Sequence, residues 1–323
     1  MAAIAMERTW LIDDSRQVLP SIGGAGATAR NLLWMIVQQL KGVYLPNMPV
    51  KWTVVESCDG TAVAASDLWT SGSSIVRAAT GAHSWTVLFN GTIYLVIDCV
   101  GIDEGRLAYF RLSSDRPIGG TTIASPRGAK ETSEVNSNWM AGFFDTANTA
   151  WRMHTRVDQF GGFWIGLSQA AMGCIRSWLA VQKLAGAPSG DQFPWAIHGA
   201  TGSSAPGGMT FVKLASTTYT WLSRSPDDSV PVKLISCGGA LGASTSYVLG
   251  NVAPNPADGT IPRYAIPLAS NTAYYEHGRG YLPDWYWGPT EYENGTLMPG
   301  APNAVQFTLF GDIWLPAAAS PIF

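Results

Sequence analysis

HSWTVLFNGTIYLVIDCV, His83 to Val100, decides the fold class of this chain. Two runs rich in β-branched and aromatic residues, Ser84 to Phe89 and Thr92 to Ile97, flank Asn90-Gly91. An Asn-Gly pair between such runs is a strong hairpin signal, because both residues tolerate positive φ. A two-residue loop pairs Phe89 with Thr92, Val87 with Tyr94 and Trp85 with Val96. Gly105 to Ser113 reads as a third strand beside this hairpin.

Upstream, the spacing of Leu32, Leu33, Ile36, Val37 and Leu40 predicts a helix over 28–40. Thr28 serves as its N-cap, and Gly42 suits the position just past its end. Pro46 and Pro49 forbid continuation. Lys51 to Ser57 follows as a strand closed by Asp59-Gly60. Downstream, 113–137 is polar and reads as a linker or long loop. Strands resume at Trp151 to Val157, Gly162 to Leu167 and Trp178 to Leu184, the last within an ambiguous segment from Met172. A Gly/Ser/Pro-rich segment covers Gly186 to Gly208, and further strands are expected at Met209 to Leu214, Thr217 to Leu222, Val232 to Cys237 and Ser246 to Leu249.

The last 45 residues carry two apolar-aromatic segments, Leu282 to Trp287 and Val305 to Leu315, and prolines that prevent helix almost throughout. The expected fold is α+β and predominantly antiparallel, sandwich- or barrel-like, with the N-terminal helix packed on a sheet. The expected divisions are a helix-plus-hairpin domain at 1–112, the linker at 113–137 and a β-rich domain with an aromatic tail at 138–323.

Only 13% of the 323 residues are charged, against roughly 25% in an ordinary soluble domain. The chain nonetheless holds 14 Trp, 11 Tyr and 11 Phe. Either the molecule is compact with Ser, Thr, Asn and Gly covering its surface, or much of its surface is buried against other protein copies, and the tryptophan content fits the second account better. The aromatic tail is the expected interface, through Leu282, Trp285, Tyr286, Trp287, Phe310, Trp314, Ile322 and Phe323. A net charge of −3 argues against direct nucleic-acid binding, which needs a Lys/Arg surplus. No apolar run approaches the about 20 residues that span a bilayer. The start has no basic-then-apolar leader, so synthesis in the cytoplasm is expected.

Chemistry-bearing patterns are sparse. The four cysteines (Cys58, Cys99, Cys174, Cys237) and four histidines (His83, His154, His198, His277) are scattered, without the close pairs of a zinc site. Neither a metal nor a cofactor is expected. Gly24 to Ala29 fits a dinucleotide-loop pattern but lacks the preceding strand, so it reads as a helix entry. Asp13-Asp14 and Asp227-Asp228 offer hard oxygens to a cation, yet read as solvated turns. Asp284, Glu291, Glu293 and Asp312 lie among the tail aromatics, as a glycosidase carboxylate pair does. Turn chemistry is the favoured reading, with Asp284 capping a turn after Pro283 and Gly311-Asp312 opening a strand. No catalytic residue is assigned.

Trp10-Leu11-Ile12-Asp13, Trp52 to Gly60 and His83 to Leu88 resemble structural proteins of tailed bacteriophages. So do Leu282-Pro283-Asp284, Tyr286 to Thr290 and Phe310 to Pro316. The likeness touches the first third and the last sixth of the chain. It implies a non-enzymatic subunit of the head, neck, tail or baseplate, made in the host bacterial cytoplasm and residing in the virion. Its partners would be copies of itself and other virion proteins. Two alternatives stand beside it: a tail-fibre or spike module whose aromatics bind host surface glycan, and a cell-envelope glycan hydrolase.

Overall fold

The computed structural model describes residues 6–18, 25–59, 62–68, 83–100, 108–118, 132–135, 151–169, 175–187, 194–202, 209–211, 221–224, 231–234, 263–269, 275–287, 297, 307–310 and 313–317. In chain order the first elements are β1 (Trp10–Val18), α1 (Ala25–Leu40), β2 (Thr53–Asp59), β3 (Val63–Ala64), β4 (His83–Phe89), β5 (Tyr94–Val100), β6 (Ala108–Ser113) and β7 (Thr132–Val135). Next come β8 (Trp151–Asp158), β9 (Phe163–Gln169), β10 (Ile175–Lys183), β11 (Trp195–Gly202), β12 (Met209–Phe211), β13 (Trp221–Arg224) and β14 (Pro231–Leu234). The last are β15 (Arg263–Ala269), β16 (Tyr275–Trp287), β17 (Phe307–Phe310) and β18 (Ile313–Pro316).

These strands form three six-stranded sheets, in the orders β1-β8-β9-β10-β11-β12, β3-β2-β4-β5-β6-β7 and β13-β14-β15-β16-β18-β17. Adjacent strands pair antiparallel, and α1 is the one helix among the described residues. The chain is therefore mostly antiparallel β. No described helix is long and apolar enough to cross a membrane.

The helix begins at Ala25, three residues ahead of the expected Thr28 cap. Its end is as the residues predict. Gly42 has φ +77°, its N–H bonds Gln39 O at 3.0 Å, and Val43 N–H bonds Gln38 O at 3.0 Å. That pair of bonds is the Schellman closure, which needs a left-handed residue at Gly42.

The hairpin forms with a shifted register. Phe89 pairs with Tyr94, Val87 with Val96 and Trp85 with Asp98. The turn centres on Gly91-Thr92, not on Asn90-Gly91. Asn90 N–H bonds Ile93 O at 3.2 Å, and the Asn90 side-chain oxygen accepts the N–H groups of Thr92 and Ile93, each at 2.9 Å. Asn90 thus closes the loop as an Asx turn, and Gly91 alone takes positive φ, at 93°. The inward and outward faces survive, because each residue's expected and observed partners differ by two positions.

Leu33, Ile36, Val37 and Leu40 of α1 belong to one buried cluster with Trp52, Leu88, Leu95, Ile97, Phe110, Ile165, Leu167, Trp178, Leu282, Trp285 and Leu315. Side chains from 1–112 and from 138–323 therefore share a core. The 113–137 segment includes β7, which pairs with β6. Seven of the 14 tryptophans (Trp52, Trp85, Trp164, Trp178, Trp195, Trp285, Trp314) are buried within the chain. Cys58 is buried and forms no disulfide.

Candidate functional site

Alternation along β8 puts Arg152, His154 and Arg156 on one face of its sheet and Met153, Thr155 and Val157 on the other. The register with β9 sets Ser168, Gly166 and Trp164 opposite those three polar residues. On the other flank, β1 is bulged between Asp13 and Arg16, where its pairing to β8 slips. A bulge re-aims side chains locally, and here Asp14 reaches the polar face. Asp13 stays local, accepting Ser15 N–H, Ser15 Oγ–H and Arg16 Nε–H at 2.9, 2.6 and 2.9 Å.

The result is a buried line of polar groups on three neighbouring strands. Ser168 Oγ lies 2.9 Å from His154 Nε2, and His154 Nδ1 lies 2.9 Å from Asp14 Oδ1. Arg156 grips both oxygens of Asp14, with Nη2 at 3.1 Å from Oδ2, and donates its Nε–H to Pro316 O at 2.6 Å. Residue exposures are 2% for His154, 1% for Arg156 and 6% for Ser168. Gly166 leaves the space that Trp164 fills, since a Cβ there would lie 2.2 Å from the ring. That ring lies 5.9 Å from the Arg156 guanidinium carbon. Trp178, on the same face, meets Trp285 edge to face at 5.5 Å.

Burial pushes the Asp14 carboxyl up, but the hydrogen bond from His154 and the charge and hydrogen bonds of Arg156 outweigh it. The carboxyl is brought down to about 2. Burial drives the His154 imidazole below its usual range, and the Arg156 and Arg152 charges push the same way against Asp14. A neutral ring facing an ionised acceptor carries its proton on Nδ1, leaving Nε2 to accept from the Ser168 hydroxyl. Chemically, the line can hold a proton at a defined atom and pass one between Ser168 and His154.

A second polar cluster secures the other end of β1. Asp284 accepts Glu7 N–H at 2.8 Å, Arg8 N–H at 3.0 Å and the Trp10 indole N–H at 2.8 Å. Its φ is +60°, the one positive value at a non-glycine among the described residues. Burial raises its carboxyl above the usual range, against hydrogen bonds from Trp10, Glu7 and Arg8. Arg8 pairs with Asp158 and bonds Lys183 O. Tyr281 donates its hydroxyl to Glu7 at 2.6 Å. Phe160, 42% exposed, lies 5.1 Å from the Arg8 guanidinium carbon and 4.8 Å from Lys183 Nζ.

Leu282, Trp285, Tyr286 and Trp314 are 0, 0, 5 and 1% exposed, so within the single chain they have almost no surface to offer a neighbour. Leu282 and Trp285 belong to the same buried cluster as Trp178, which Trp285 meets directly. The side chains of Trp287 and Phe310, and Ile322 and Phe323 altogether, lie outside the described residues, as do Glu291, Glu293, Asp312 and Asp227-Asp228. Asp13 and Asp14 are not in a solvated turn. They occupy the bulge of a strand that the sequence reading did not assign, and their oxygens are engaged by Ser15, Arg16, His154 and Arg156. Asp284 caps a chain segment more than 270 residues away instead of its own turn. Among the described residues, no group of three or more His, Cys, Asp or Glu is placed to hold a metal.

His154 and Ser168 escaped the sequence reading, although the alternation Arg152-x-His154-x-Arg156 inside a strand pattern signals a polar buried face. No protein-family profile, curated protein or solved structure matches this chain.

Proposed function

We propose that the chain is a structural subunit of a phage-like virion, assembling with copies of itself and with neighbouring virion proteins. The observation that carries the reading is the 13% charge content together with a mean hydropathy of +0.08. An ordinary soluble domain carries roughly 25% Lys, Arg, Glu and Asp over its whole chain, and ionised surface keeps monomers apart. This chain is well short of that, although its described tryptophans are largely spent inside its own core.

Contacts between subunits therefore fall to surfaces other than the buried part of the tail. Among the described residues, the strands at the ends of the hydrogen-bonded order in each sheet are β1 and β12, β3 and β7, β13 and β17. An exposed edge offers unpaired backbone N–H and C=O groups to a neighbour's strand. Val63, on β3, is 44% exposed, and Val43 and Ile118 are 56% and 65% exposed. In the same reading the sheets stack as a sandwich with α1 lying against one of them, as the shared buried cluster supports. Assembly of this kind needs no chemistry from the chain.

Sedimentation of the purified protein over a micromolar concentration range tests the reading, with mass spectrometry of intact particles. Concentration-dependent oligomers and presence in the particle are expected. A stable monomer at every concentration, absent from particles, overturns it.

A further inference from the structure

A hydroxyl bonded to an imidazole nitrogen, whose other nitrogen is held by an ionised carboxylate, is the arrangement that activates serine for attack on an acyl carbon. Ser168, His154 and Asp14 form that line, with both links at 2.9 Å. Three adjacent strands set it, so its geometry does not depend on a loop. Asp14 accepts from Nδ1, which leaves Nε2 as the base. Arg156 holds Asp14 in place by gripping both of its oxygens.

Arg152 completes the constellation. It is the register partner of Ser168, so both lie on one face of the sheet, and its charge bears on His154. It is half-buried, as is Asp14 at the far end of the line, so the polar face meets solvent beside both. A cation carried on the strand next to the attacking hydroxyl can stabilise the negative charge that develops on a carbonyl oxygen. Ser168 itself is 6% exposed, so the esters proposed for it are small ones.

We propose that Ser168 is an acyl-accepting nucleophile acting on small O-acyl esters, with His154 as general base. Its oxygen bonds the ester carbonyl carbon as its proton passes to His154 Nε2, and the charge on the carbonyl oxygen faces Arg152. The carbon–oxygen bond to the alcohol then breaks, and the alcohol departs with the proton from His154. Water repeats the sequence on the acyl-serine, releasing the carboxylic acid and restoring the hydroxyl. This activity is separate from assembly and stands whether or not the chain is a virion subunit.

The full chain is treated with phenylmethylsulfonyl fluoride, digested and mapped by mass spectrometry; 4-nitrophenyl acetate turnover is followed in parallel. One adduct per chain, on Ser168, is expected. Nitrophenol release should rise with pH as His154 loses its proton, and fall at least tenfold in Ser168→Ala and in His154→Gln. Circular dichroism melting checks that the variants fold; if they do not, the adduct map on the wild-type chain decides. No adduct, an adduct at another residue, or folded Ser168→Ala turning over at the wild-type rate overturns the assignment.

Discussion

Asp14 and Asp284 are both carboxylates withdrawn from water, and their partners send them in opposite directions. Asp14 faces a guanidinium and an imidazole, so the fold favours its ionised form and lowers it from 3.8 to about 2. That contributes about 2 kcal/mol at neutral pH, fully present above pH 4 and lost as pH falls toward 2. Asp284 meets only uncharged donors, so burial wins and its ionised form is penalised. Its contribution runs the other way, with stability rising as pH falls through its raised value. His154 is held neutral, so the unfolded chain takes up a proton that the fold refuses. Stability should therefore decline as pH falls below 6.5. Urea midpoints measured between pH 8 and 5 should lose part of that decline in His154→Gln; an unchanged slope would contradict the assignment. Asp14→Asn leaves the Arg156 charge buried without its counter-charge, and should cost about 3–5 kcal/mol in urea denaturation at pH 7.

Strand β1 shows how an element can be stable without declaring itself. Its residues Asp13 to Gln17 are polar and Asp13-Asp14 locally read as a turn, yet the strand pairs with β8 and is held by side chains just before its start and at its bulge. Asp284→Ala removes the acceptor for two backbone N–H groups and an indole, at about 3 kcal/mol. Hydrogen exchange at residues 7–10 should then quicken well beyond that at β9. Asp284→Asn tolerates positive φ but replaces one of the two accepting oxygens with an amide NH2 that faces an N–H donor, so it should cost about 1–3 kcal/mol with exchange also quickened; unchanged exchange at residues 7–10 in both variants would refute the latch. In β9, Gly166→Ala drives a methyl into the buried Trp164 ring. A loss of about 1–3 kcal/mol is expected from overpacking, with the tryptophan emission shifted; a neutral result would mean that the ring has room to move.

The described elements share buried side chains across the length of the chain, from Leu33 in α1 to Leu315 in β18. Residues 7 and 8 are tied to residue 284, and Ala185 and Tyr281 exchange two backbone bonds of 2.9 Å. Unfolding that breaks one part should expose the rest. Urea denaturation followed by tryptophan fluorescence and by far-ultraviolet dichroism should therefore give one coincident transition. Two separated transitions would mean that 1–112 and 138–323 are independent units.

Local chemistry was enough for the helix stop at Gly42, the β4–β5–β6 meander and the strands at β8, β9 and β10, because period, capping and β-branching act over a few residues. It placed the turn at Asn90-Gly91 one residue early, because the Asn90 side chain captures two backbone N–H groups and Asn90 itself ends up closing the turn. It passed over β1, β11 and β15, whose polar or small residues carry weak strand propensity and gain their pairing from distant partners. The Asp14–His154–Ser168 line joins positions 140 and 14 residues apart. Its members meet only because register and a bulge bring three strands together, and no spacing within the chain encodes that meeting. The burial of Leu282, Trp285, Tyr286 and Trp314 followed the same logic: composition shows that apolar side chains must be covered, while packing chooses whether the cover is the chain itself or a neighbour.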